Sequence, residues 1–255
     1  MFKIIIISKD ENLESIKHNL RLYEGYDIFL ISPNASNTKF NNSNLTKIND
    51  KDLLSFEKLK KKIEVERFGW YFQQFLKYES VLKIDGQEFL IIDGDSVVDP
   101  SLAVTKTLCS INKPINNAYS NLYKKFFPND KIIQECFITN QMVFNKSILK
   151  ELLNNIESQS GTDWITAISK KINETDKKNL SWFSEYQMYA NYTLNRYQDI
   201  SIKPVRVFRR FELINDTVEN GLKKYNILAY EVFHKKDFLR KSRAKLFYVF
   251  GVNLG

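Results

Sequence analysis

The sequence is short of the residues that staple, loosen or bend a chain. Two cysteines in 255 residues, Cys109 and Cys136, cannot build a disulfide framework, and their surroundings lack metal-binding spacing. A reducing, cytoplasmic setting is therefore expected. Eight glycines and five prolines exclude collagen-like and Gly-rich linker architectures. No apolar run approaches the ~20 residues of a membrane-spanning helix. The opening stretch, Phe2-Lys3-Ile4-Ile5-Ile6-Ile7, is shorter than a signal-peptide core and no small-residue cleavage site follows it. Histidine is scarce too: only His18 and His234 exist, which leaves few arrangements for a Ser-His-Asp hydrolase. His18 reads as a surface residue of a helix.

What is present suits a globular protein. The chain is 43% hydrophobic and 14% aromatic, enough for a sizeable core and against wholesale disorder. Its net charge of +8 and pI near 9.2 fit nucleic acid, an anionic membrane surface or phosphorylated substrates. Richness in Lys, Asn and Ile is also what AT-rich coding DNA produces without any function.

The pattern is α/β. Residues 2–7 form a continuous apolar, β-branched run, as in a strand buried on both faces. A helix is expected over 12–23 and a second strand over 27–31, followed by a long polar loop over 34–52. Residues 67–80, RFGWYFQQFLKYES, place Phe68, Tyr71, Phe72, Phe75 and Leu76 on one helical stripe. The opposite face carries Trp70, Gln73, Gln74 and Lys77, a set suited to a polar ligand. A strand is predicted over 88–92, and Asp99-Pro100 reads as the start of a helix running toward Cys109. Residues 137–144 suggest another strand, with helices over 145–157 and 163–172. Ser184-Glu185-Tyr186-Gln187 has capping-box spacing, so Ser184 should cap a helix reaching about Tyr197.

The strand over 88–92 delivers Asp93-Gly94-Asp95 at its end, where open α/β sheets bind ligands. Two carboxylates one residue apart can share a hard divalent cation that keeps waters and takes its remaining ligands from phosphates. The glycine would let backbone approach a substrate. Stranding two unpaired carboxylates at a buried strand end costs several kcal/mol, which a cation would offset.

The order of these pieces resembles bacterial glycosyltransferases of the GT-A type, particularly surface-polysaccharide transferases. The resemblance rests on the R-x-G-W-Y-x-Q-Q-x-x-K helix from Arg67 to Lys77, the hydrophobic strand with its D-x-D, Thr139-Asn140-Gln141-Met142-Val143-Phe144, and Phe183-Ser184-Glu185-Tyr186. It implies a GT-A-like, Rossmann-like α/β catalytic domain over 1–215 with a mixed central sheet, and a helical appendage over 216–255. It also implies a nucleotide-diphosphate sugar donor, a UDP-sugar above all, and a glycan or lipid-linked oligosaccharide acceptor. Mn²⁺ or Mg²⁺ would sit on Asp93 and Asp95, with His234 as a further ligand. Ser8, Arg67, Trp70, Gln73, Gln74, Lys77, Asp93, Asn140 and Gln141 would contact the donor. Glu185 is the candidate base for the acceptor hydroxyl, after the possible stacking pair Trp182-Phe183; the alternative is a cap carboxylate ionised at its helix start.

Two other readings stay open. Asp93-Gly94-Asp95-Ser96-Val97 fits the nucleophile motif of haloacid-dehalogenase-like phosphatases, although two strands and a long helix precede it. Aromatics interleave with basic residues over 205–210 and 233–248, as in a nucleic-acid-binding module, but no nucleic-acid motif is present and no such partner is expected. Over 233–250, six cations face Asp237 alone beside Phe233, Phe238, Phe247, Tyr248 and Phe250. That composition fits reversible contact with an anionic bilayer, at the inner face of the cytoplasmic membrane.

Overall fold

The computed structural model describes residues 2–11, 13–174, 182–209 and 218–230. Chain order runs β1 (Lys3–Ile7), α1 (Glu14–Leu22), β2 (Ile28–Ser32), β3 (Leu45–Asn49), α2 (Asp50–Leu53), α3 (Phe56–Lys60), α4 (Phe68–Lys83), β4 (Glu88–Asp93) and β5 (Ser96–Val98). It continues with β6 (Thr107–Ser110), α5 (Asn117–Phe126), β7 (Gln141–Asn145), α6 (Lys146–Ser160), α7 (Trp164–Asn173) and α8 (Glu185–Arg196). Then come β8 (Ser201–Pro204), β9 (Val207–Arg209), α9 (Val218–Lys224) and β10 (Ile227–Ala229).

The main sheet has the order β3-β2-β1-β4-β7, parallel except for β7. This is the expected mixed α/β sheet. Side chains on β1 alternate between two cores. Ile5 and Ile7 pack with α4, α6, α7 and α8 on one face, while Ile4 and Ile6 pack with Ile16 and Leu20 of α1 on the other. A strand covered on both sides needs apolar residues throughout, which is why KIIII and EFLIID are legible as runs. Truncating one such residue, Ile6→Ala for instance, leaves a cavity costing about 2–5 kcal/mol.

Strand order reverses direction between β1 and β4. Chain progress moves outward from β1 to β2 and β3, then returns across to β4. The carboxyl ends of β1 and β4, where Ile7 pairs with Asp93, therefore form the topological switch point of the sheet. A small sheet, β5-β10-β9, flanks this point. Residues 218–230, inside the stretch expected as an appendage, thus form α9 and a strand paired with β5 and β9. Residues 231–255, with His234 and the basic aromatic stretch, lie outside the described residues.

Several local expectations are corrected. The polar loop over 34–52 contains an edge strand, β3, whose exposed Thr46 and Lys47 hide the apolar signal. Asp99 does cap a turn, its side chain accepting from Ser101 N–H, but Pro100–Leu102 makes one 3-10 turn and Cys109 lies in β6. Residues 137–140 are not strand; Asn140 takes a left-handed φ of 64° that ends the ladder before Gln141. His18 is buried, not exposed: α1 turns it toward the body, where its Nε2 has no hydrogen-bond partner among the described residues. The Ser184 cap is formed as read, its Oγ accepting from Gln187 N–H, and the structure adds caps at Asn145 and Asp163, whose side chains accept from Ser147 and Ile148 N–H and from Thr166 N–H.

Candidate active site at the carboxyl ends of β1 and β4

Asp93, Gly94 and Asp95 form the tight turn from β4 into β5. Gly94 is needed for a reason other than substrate approach. A Cβ there would lie 2.4 Å from Ser8 Cβ and 2.9 Å from the Ile7 carbonyl. The glycine lets the two strand ends close on each other, sealed by Gly94 N–H donating to the Ile7 carbonyl at 2.8 Å. The Asp93 N–H donates to the Asn140 carbonyl at 2.9 Å, so the left-handed turn at Asn140 holds β4 from the other side. Asp95 is half-buried; its carbonyl accepts from Tyr230 N–H, and Ser96 Oγ lies 3.3 Å from its Oδ1.

Beneath Asp93 lies a charged cluster from three elements. Lys77 of α4 places Nζ 2.6 Å from Asp93 Oδ1 and 2.7 Å from Glu185 Oε1. The ammonium also sits 4.2 Å from the centre of the Tyr186 ring. The Tyr186 hydroxyl donates to Asp93 Oδ1 at 3.0 Å, and the Tyr78 hydroxyl donates to the Glu185 carbonyl at 2.8 Å. Burial alone would push the Lys77 ammonium down, but Asp93 and Glu185 hold it well above the ordinary lysine value. Burial pushes the Glu185 carboxyl up, and Lys77 reverses this only in part. Its Oε2 has no hydrogen-bond partner among the described residues. Burial, then the charge of Asp93, holds the Tyr186 phenol well above its usual value, so it remains a donor.

The other expected residues divide into two groups. Arg67 and Trp70 open α4 at the site's edge, the guanidinium 5.3 Å from the indole centre. Beside them Lys9, just past β1, brings Nζ within 3.8 Å of the place a Gly69 Cβ would occupy. Gln73 is half-buried. Ser8, Gln74 and Lys77 point inward. Ser8 Oγ donates to the Asp10 carbonyl at 2.6 Å, and Gln74 Nε2 donates to the Trp70 carbonyl at 3.2 Å within its own helix. Asn140 Oδ1 is buried, with no hydrogen-bond partner among the described residues. Gln141 is buried against the Cys109 thiol, and neither amide atom has a nitrogen or oxygen partner among the described residues.

Glu185 is fully enclosed and bonded to Lys77, rather than open at its helix start. Phe183 is core, packed on Phe75 and Tyr78, so it offers no stacking face. Trp182 is half-buried, and its Nε1 has no hydrogen-bond partner among the described residues. Sequence reasoning passed over Tyr186, Tyr78 and Lys9. Tyr186 had one available signal, its place beside Glu185 in the first turn of a capped helix.

Among the described residues no three His, Cys, Asp or Glu side chains group closely enough to hold a metal ion. The Asp93 and Asp95 pair nevertheless fits a Mg²⁺ or Mn²⁺ ion, which commonly takes one or two carboxylates and fills its shell with water and phosphate oxygens. Asp93 Oδ2 receives no hydrogen bond from a described residue, and the side chain is 27% exposed.

Comparison with known proteins gives structural neighbours and a family. The galactosyltransferase LgtC in complex with donor and acceptor sugar analogs is similar at 11% identity and a TM-score of 0.46, over 89% of this chain and 86% of that one. An active-site mutant of LgtC gives 12%, 0.47, 95% and 94%. The apo-form glycosyltransferase GlyE of Streptococcus pneumoniae gives 12% and 0.39, covering 95% of this chain and 59% of that one. No curated protein sequence matches. Residues 1–204 match the family of unknown function DUF6492, and the chain belongs to that family.

Proposed function

We propose that this protein is a metal-dependent glycosyltransferase, moving a sugar from a nucleotide-diphosphate donor to a hydroxyl of a glycan or lipid-linked oligosaccharide in surface-polysaccharide synthesis. One observation carries the reading: Asp93-Gly94-Asp95 turns at the switch point of a β3-β2-β1-β4 sheet, where ligands of open α/β sheets bind. Asp93 and Asp95 would hold Mn²⁺ or Mg²⁺, with His234 a further ligand. Tyr230, whose N–H is bonded to Asp95, stands four residues before His234, a span of at most ~14 Å of chain.

The ion would neutralise the departing diphosphate. The chain's own share is positional and electrostatic. Arg67 and Lys9 at the edge of the site supply fixed positive charge for phosphate oxygens, and Trp70, held under Arg67, offers a flat face to a sugar or base. Asn140 Oδ1 and Trp182 Nε1, buried and without a hydrogen-bond partner among the described residues, offer one acceptor and one donor to ligand hydroxyls.

Slow donor hydrolysis tests the reading without knowledge of the acceptor. A panel of nucleotide sugars incubated with Mn²⁺ should show at least one turned over, and excess chelator should stop it. Asp95→Asn should reduce that turnover by about a thousandfold or more, since several kcal/mol of charge stabilisation is withdrawn. A panel on which nothing binds or turns over, or an Asp95→Asn variant with normal turnover, overturns the assignment. Hydrolysis of simple phosphate monoesters instead would indicate a phosphatase.

A further inference from the structure

Side-chain exposure rises from 0% at Glu185 to 4% at Lys77 and 27% at Asp93, so the three charges form a column from core to surface. Removing charges from water costs several kcal/mol each, and well-packed apolar side chains in such places are often as stable or more so. Stability therefore gives no reason for an ammonium under Asp93. Geometry supplies one. Lys77 and Tyr186 both reach the same oxygen of Asp93, Oδ1, from two different elements. A carboxylate held twice at one oxygen cannot rotate freely about χ2, and its other oxygen is the one left to a ligand. Lys77 has an anchor of its own, for Glu185 holds it from behind at 2.7 Å, and the Tyr78 hydroxyl holds the Glu185 backbone.

We propose that Lys77 is a positioning residue: anchored on Glu185, it fixes the Asp93 carboxylate in the one orientation that offers Oδ2 to a divalent cation. This rests on the reading of Asp93 as a cation ligand. Glu185 then acts through Lys77 rather than on the acceptor hydroxyl, which its enclosure keeps out of reach. A clamp that merely joins α4, β4 and α8 would use the same contacts, so the test must read the Asp93 carboxylate itself.

Crystal structures of the full chain, wild type and Lys77→Met, supply that readout. The wild type should show one Asp93 rotamer. Lys77→Met should show the carboxylate turned or split over two rotamers, with the β4 backbone in place. Mn²⁺ titration followed by electron paramagnetic resonance should give about tenfold or greater loss of affinity in Lys77→Met, the usual effect of removing a group that orients a metal ligand. Glu185→Gln, which keeps shape but withdraws the anchoring charge, should lose affinity in the same direction by a smaller factor. An Asp93 rotamer unchanged in Lys77→Met overturns the proposal, as does unchanged Mn²⁺ affinity in a variant that binds the ion. If the wild type binds no Mn²⁺, the metal reading of the site fails, while the Asp93 rotamer still decides whether Lys77 positions it. If Lys77→Met does not fold, Glu185→Gln and Tyr186→Phe are read by the same two measurements.

Discussion

Two ionic clusters in this molecule use similar parts to opposite ends. Under the switch point, Lys77 stands between Asp93 and Glu185, enclosed, with Glu185 Oε2 unpartnered among the described residues. At the far end of α8, Arg196 pairs with Asp130 at 2.7 Å and lies 3.9 Å from the centre of the Tyr192 ring. Nearby, Glu151 accepts from the hydroxyls of Tyr192 and Tyr197 at 2.7 and 2.5 Å. That outer cluster is reached by solvent, and both Glu151 oxygens are paired. Full pairing near water describes a support for α5, α6 and α8. An incomplete, enclosed cluster beneath an open carboxylate describes a site.

The sharpest way to break the contrast is to remove the cation from each cluster. Lys77→Met leaves the enclosed Glu185 and the partly exposed Asp93 without their counter-ion and should cost about 3–5 kcal/mol of stability in urea melts. Adding Glu185→Leu should return much of that loss, because an apolar pair needs no charge balance. A double variant no more stable than Lys77→Met would show that the inner cluster is not governed by charge.

A second cut strikes the backbone that places the inner cluster. Gly94→Ala drives a methyl to within 2.4 Å of Ser8 Cβ and against the Ile7 carbonyl, so the ends of β1 and β4 must part. The expected loss is about 1–3 kcal/mol, with Asp93 displaced. Ser8→Gly added to Gly94→Ala should recover part of it, and no recovery would place the clash elsewhere.

These contrasts also show what a sequence reveals. Asp93 and Asp95 are legible because the apolar run before them fixes where the strand ends, and ligand geometry follows from strand ends. The Lys77–Glu185 bond spans 108 residues and depends on how α4 meets α8, which no local pattern encodes. Lys77 does fall on the polar side of α4, as periodicity says. That side is covered too: Gln74, Lys77, Glu79 and Ser80 are all buried, so polarity there marks an internal cluster rather than a solvent face. Short edge elements escape for a related reason. β3 carries polar residues on its open face, and β5, β9 and β10 are three residues each, too short to show a period. His18 shows the converse error, since a titratable residue on an amphipathic helix is not thereby exposed.

On the outer side, Arg196→Met should cost about 1 kcal/mol or less, as expected of a partly exposed pair. The methionine keeps contact with the Tyr192 and Phe127 rings that the guanidinium covers. A loss as large as that of Lys77→Met would erase the distinction between the clusters.

The smallest effect is the most discriminating, because folding shifts the two glutamates' pKa values in opposite directions. Hydrogen bonds from Tyr197, then Tyr192, hold the Glu151 carboxyl below its ordinary value of 4.5. A lowered carboxyl pKa in the folded state gives stability that is full above about pH 4.5 and is lost as pH falls through the folded value. Burial holds the Glu185 carboxyl above 4.5. A raised pKa means the folded state keeps the proton longer than the unfolded chain, so its contribution is greatest below about pH 4.5 and declines as pH rises through the folded value. Urea melts from pH 3 to 8 should therefore show Glu151→Gln flattening the acid limb, with little change above about pH 4.5. Glu185→Gln should flatten the opposite slope, above that point. His18 adds a separate acid-side term, because burial lowers its pKa below 6.5 and stability falls as pH drops under that value. His18→Asn serves as the control that removes it. If both glutamine variants change the same limb, the inner carboxylate is as well solvated as the outer one, and the column beneath Asp93 is not closed.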